Sequence, residues 1–137
     1  KKVKTLQLKD KIHFLGRLPF EEMMNKTKSA KLAISIDKAT NGNYAISLPN
    51  KIFEYIACSV PVLVSPLQEI KLIVEKYKTG EFLSSYNPQE LAKQITNLLN
   101  DERKLDLIAE NCKKAAEELC WENEEIQIFK TIKQLEK

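Results

Sequence analysis

Four short strand-like runs, each separated from the next by a stretch that reads as helix or helix plus loop, constrain this chain more than any other feature. They are Ile12–Leu15, Leu32–Ile36, Pro61–Ser65 and Glu81–Ser84. The run Leu32–Ile36 is nearly continuous in apolar residues, the pattern of a strand covered on both faces in a parallel sheet. Strands alternating with helices at these lengths give βαβα order, and hence an α/β fold: a doubly wound parallel sheet with right-handed crossovers. The 137 residues fit one domain, 1–137.

The helical stretches carry their own start and stop signals. Val3–Leu8 reads as the end of a helix, with Lys9–Lys11 as the turn after it. Pro19 or Phe20 opens a helix with Glu21 and Glu22 in its first turn, which runs to about Ser29. Asp37–Ala45 contains Asn41-Gly42-Asn43 and reads as irregular. A short helix follows at 49–57. Leu67–Tyr77 is amphipathic, with Ile70, Ile73 and Val74 on one face, and Lys78-Thr79-Gly80 ends it. Asn87 before Pro88, with Glu90 two further on, marks a helix start. Asp101 caps another helix to about Leu119, and 121–135 is the last. Because the chain begins inside a helix that should follow an earlier strand, it reads as truncated at its amino end.

Charge and composition remove several function classes. Twenty-two basic and 19 acidic residues leave a net charge of +3. That balance, with lysines dispersed and aromatics not interleaved among them, argues against nucleic-acid binding. It fits a solvated lysine-rich exterior and leaves open peripheral contact with an anionic membrane face. No apolar run approaches the roughly eighteen residues of a membrane span. Three cysteines without CxxC spacing and a single histidine make neither a zinc signature nor a Cys/His or Ser/His/Asp constellation. The cysteines read as reduced thiols of a cytosolic protein. His13 reads as a strand histidine satisfied by its neighbours.

The chemistry concentrates in Ser47–Ala57. A strand, a loop and then a helix start facing the strand's carboxyl end present free N–H groups and the positive end of a helix dipole, a geometry suited to phosphate. Lys51 adds a cation in the first turn. Glu54 lies one turn on, where it makes either an exposed i, i+3 pair with Lys51 or a hydrogen-bond acceptor for sugar hydroxyls. Asn50 reads as a helix cap, which does not exclude a ligand contact. Asn41, Asn43 and Tyr44 read equally as a structural turn or as contacts to a sugar. Asp37 is the only carboxylate at a strand end, too few for a receiver domain.

The run Leu48-Pro49-Asn50-Lys51-Ile52-Phe53-Glu54-Tyr55-Ile56-Ala57, continued by Ser59-Val60-Pro61-Val62-Leu63-Val64-Ser65, resembles the C-terminal, donor-binding domain of retaining glycosyltransferases with the GT-B fold, of the group 1 kind that builds bacterial surface polysaccharides. Ile12–Arg17, Leu67–Ile70 with Thr79-Gly80, and Trp121-Glu122 match further family segments in order. The resemblance implies a Rossmann-like half of a two-domain enzyme that binds a nucleotide-diphosphate sugar and passes the sugar to a saccharide or lipid-linked acceptor. It implies that Glu54 bonds the nucleotide ribose, that Ser47, Leu48, Asn50 and Lys51 surround the donor diphosphate, and that Gly16, Arg17 and Leu18 lie against the base. Arg17 reads as evenly a base contact or a solvated loop residue. No cofactor and no metal are expected, helix dipoles and basic groups serving the leaving diphosphate instead. The closing helix 121–135 is expected to cross to an N-terminal domain, and catalytic groups to lie largely there. The chain alone would then be inactive, in the cytoplasm or at the inner face of the membrane. The family's sugar-contacting glutamate falls at Ile46, so no carboxylate is assigned to the sugar. The alternative reading is a non-enzymatic Rossmann-type nucleotide-binding or regulatory module.

Overall fold

A computed structural model describes residues 2–40 and 42–135. The elements in chain order are α1 (Lys2–Thr5), α2 (Phe20–Lys28), β1 (Ala33–Ser35), α3 (Gly42–Ala45), α4 (Asn50–Ala57), β2 (Val62–Val64), α5 (Gln68–Tyr77), β3 (Gly80–Phe82), α6 (Pro88–Asn100), α7 (Glu102–Glu118) and α8 (Trp121–Leu135). The three strands form one parallel sheet in the order β1-β2-β3. Sequential parallel strands joined by right-handed crossovers place the intervening helices on one face. Accordingly Ile52 and Ile56 of α4, Ile70 and Val74 of α5, and Val62 and Val64 of β2 share one buried cluster.

The α7 helix completes that cluster with Ile108, Cys112 and Ala115. Its Cys112 thiol donates towards the carbonyls of Val60 (3.6 Å) and Thr79 (3.4 Å), just ahead of β2 and β3. Thus α7 crosses the amino ends of the strands. On the opposite face of the sheet Leu63 is fully buried, and Glu81 pairs with Lys104 of α7. The α6 helix is tied to the end of β3 through Gln94, which donates to the Phe82 carbonyl (2.8 Å) and accepts from the Ser84 amide (3.0 Å).

The α6 start follows its signals closely: the Asn87 side chain accepts from the amides of Gln89 and Glu90, with Pro88 at the first helical position. Asp101 caps α7 by accepting from the Lys104 amide. Other segments depart from the sequence reading. Ile12–Leu15 forms no strand: Phe14 is 83% exposed, and no ladder partner stands beside it among the described residues, so its backbone groups stay with solvent or the local turn. His13 is correspondingly exposed and makes no hydrogen bond among the described residues. β1 is covered on one face only, Ile34 being 41% exposed on the other. The loop expected to be irregular contains one helical turn, α3.

The segment Lys78-Thr79-Gly80 ends α5 as expected: Lys78 takes the left-handed capping position, with φ +53°, and Gly80 already opens β3. A Cβ on Gly80 would sit 2.0 Å from the Val62 carbonyl oxygen, so the glycine is required by the close approach of β2 and β3.

Candidate functional site

With α7 across the amino ends, the opposite, carboxyl ends of the strands carry a connected polar group. Ser35 closes β1, and Asp37 follows two residues later. The Asp37 Oδ2 accepts from the Ser35 hydroxyl (3.0 Å) and from the Lys51 ammonium (3.1 Å). The Asp37 amide donates to Ser65 Oγ at 2.9 Å, just past β2. The Tyr86 hydroxyl, from the loop after β3, donates to the Asp37 carbonyl (2.8 Å) and lies 3.1 Å from Ser65 Oγ. Lys38 stands over the Tyr86 ring, 5.1 Å from its centroid. Ser35 and Ser65 are buried, so these bonds satisfy groups that would otherwise be costly to desolvate. Three strand ends therefore converge on one aspartate.

Lys51 reaches this group from the first turn of α4. The residue before that helix, Pro49, holds an extended conformation (φ −69°, ψ 137°) and offers no side-chain cap. The Ile52 amide returns to the Pro49 carbonyl at 3.0 Å. The amides of Asn50 and Lys51 make no hydrogen bond among the described residues. Two orphan donors and an ammonium thus meet at one helix start, an arrangement suited to an anion. Asn50 is exposed as the first helical residue rather than the cap.

Glu54 is half-buried one turn along, and its carboxylate makes no hydrogen bond or ion pair among the described residues. The i, i+3 pair with Lys51 open from sequence is not formed, because Asp37 takes the ammonium. The charge of Glu54 is felt at Cys58, whose thiol is pushed up mainly by burial, against the lowering effect of Lys28, with Glu54 adding to the rise. Ser47 and Leu48 are half-buried, and Leu48 packs against the core cluster.

Gly16 adopts φ +68°, Arg17 is exposed and Leu18 is half-buried. No hydrogen bond or ion pair links these three to residues 47–54, and Arg17 makes no ion pair among the described residues. Asn41 lies outside the described residues. Asn43 is exposed, as is Ile46 at 60%.

Sequence reading located the α4 half of this site but missed the other half. Ser35 and Tyr86 carry no motif and Ser65 only closes the run that follows α4; these positions, 21 to 51 residues apart, become a group only through the parallel register of the sheet. Asp37 stood out only as a strand-end carboxylate.

Residues 1–118 match the sequence model of the family described as "Glycosyl transferases group 1". The chain is 27% identical over 140 residues to a chitobiosyldiphosphodolichol beta-mannosyltransferase of Candida albicans, a match covering 96% of this chain and 30% of that protein. It is 24% identical over 138 residues to an uncharacterized glycosyltransferase of Methanocaldococcus jannaschii, covering 98% of this chain and 38% of the relative. The chain thus spans about a third of the length of the curated relatives it matches. With a parallel α/β sheet whose phosphate-suited helix start lies at the strands' carboxyl ends, and a family match over most of its length, the chain belongs to the group 1 glycosyltransferases, as a Rossmann-like domain of the GT-B type.

Proposed function

We propose that the carboxyl-end crevice holds the nucleoside diphosphate of a sugar donor, and that the sugar passes to a saccharide or lipid-linked acceptor in polysaccharide or glycoconjugate synthesis. The observation that carries this reading is the α4 start, where the Lys51 ammonium stands on the same turn as two amides without acceptors among the described residues. As the glycosidic bond breaks, negative charge grows on the departing diphosphate. Fixed donors already aimed at that position stabilise it without reorganisation, and no metal is needed in this scheme. Glu54, with both carboxylate oxygens uncommitted among the described residues, accepts hydrogen bonds from the ribose hydroxyls. Gly16, Arg17 and Leu18 serve the base side.

The acceptor and the remaining catalytic groups belong, in this reading, to an N-terminal domain, so residues 1–137 alone bind donor without turning it over. The exposed apolar residues of α8, among them Phe129 and Leu135, support packing of that helix on another domain. The name of the Candida relative supports a lipid-linked acceptor. In the same reading the enzyme works in the cytoplasm, at the inner face of the membrane. Among the described residues no helix is long and apolar enough to cross a membrane.

A thermal-shift screen of UDP, GDP and ADP against the full-length protein tests the donor site. One of them should raise the melting temperature, and Glu54→Ala should weaken its binding roughly ten- to a hundredfold, as expected for lost hydrogen bonds to a charged acceptor. No shift with any of the three at millimolar concentration would remove the proposal.

A further inference from the structure

Beside the cation that takes the diphosphate stands a carboxylate with one oxygen in use and one free. Both polar bonds at the Asp37 side chain, from Ser35 and from Lys51, go to Oδ2. Oδ1 accepts nothing among the described residues, and the side chain is 28% exposed at the crevice. The aspartate is also fixed at its backbone, the amide by Ser65 and the carbonyl by Tyr86. It therefore cannot swing away when a ligand arrives.

An ionised carboxylate only accepts hydrogen bonds. It repels phosphate, and the ammonium 3.1 Å from it disfavours a metal cation at the same place. What matches a rigid free carboxylate oxygen beside a phosphate-binding cation is a hydroxyl of the group esterified to that phosphate. We infer that Asp37 is the residue that recognises hydroxyls of the transferred sugar, with Oδ1 accepting from them while Oδ2 stays bonded to Ser35 and Lys51. The assignment rests on the donor-site reading above and adds the sugar contact to it. It supplies the crevice with the carboxylate that Ile46 does not.

The test compares, in one full-length variant, the affinity for a nucleoside diphosphate with that for its sugar conjugates. Calorimetric titrations of UDP with UDP-glucose and UDP-N-acetylglucosamine, and of GDP with GDP-mannose, are made on the wild type, Asp37→Asn, Asp37→Ser and Glu54→Ala. For the preferred pair, Asp37→Asn and Asp37→Ser should leave the nucleoside diphosphate equal or somewhat tighter, since a negative charge leaves the site. The sugar conjugate should weaken at least tenfold relative to it. Glu54→Ala should weaken both alike. Retained nucleoside diphosphate binding shows that each variant is folded at the site. Equal loss of both ligands in the Asp37 variants, or no loss of either, would overturn the role of Asp37 while the donor site stands. Failure of the wild type to bind any of these nucleotides would overturn both.

Discussion

At the scale of single residues, burial separates the three thiols. Cys112 is fully buried between α7 and the strand ends, and burial pushes its thiol up from 9.0 to about 12, against the lowering effect of a backbone hydrogen bond. A thiol that resists ionisation in the folded chain contributes stability that is complete below pH 9.0, its ordinary value, and is lost as the pH rises towards about 12. Melting temperature followed from pH 8 to 11 should therefore fall less in Cys112→Ala than in the wild type, although the variant starts lower because of the cavity. Equal slopes would show that alkaline unfolding comes from other groups. Nothing in the sequence distinguishes Cys112 from the half-exposed Cys120, since both sit at helical spacing; only the path of α7 across the strand ends does.

Among the elements, those with local start signals were the most legible. The Asn87-Pro88 start of α6 lies where the sequence puts it, because a cap is a bond between neighbours in the chain. Asn87→Ala should accordingly cost about 1 kcal/mol in urea unfolding, and Asn87→Ser should restore most of it. The loss of the expected strand at Ile12–Leu15 has the opposite cause: a strand needs a partner, and pairing is not written in the run itself. The need for a glycine at position 80 has the same origin: it comes from Val62, its partner across the ladder. The site divides along this line as well. Lys51 and Glu54 lie on one helix and were legible, whereas Ser35, Ser65 and Tyr86 meet Asp37 only through three-strand register.

At the scale of the molecule, apolar surface is unevenly spread. The core cluster is buried, but α8 exposes Trp121, Ile126, Phe129, Ile132 and Leu135. Among the described residues the Asn123 amide ties it to the carbonyls of Glu117 and Glu118, and a cavity lies between it and Leu72, Ile73 and Tyr77 of α5. Residues 1–137 expressed alone should therefore self-associate with rising concentration. Phe129→Glu with Leu135→Glu should suppress this, seen by light scattering, while the melting temperature changes by no more than an exposed substitution allows, about 0.5 kcal/mol. A large loss of stability would mean that α8 is part of the core.

The course of α7 also bears on the order in which the chain acquires its shape during synthesis. Every residue of the polar group at the carboxyl ends lies between Ser35 and Tyr86, so that end of the sheet is complete in sequence before α7 has left the ribosome. The opposite end of the sheet waits for Ile108, Cys112 and Ala115. A nascent chain halted before those residues emerge carries the whole polar group on a sheet open at its base, which makes the synthesis of α7 the interval in which this domain depends most on protection from aggregation.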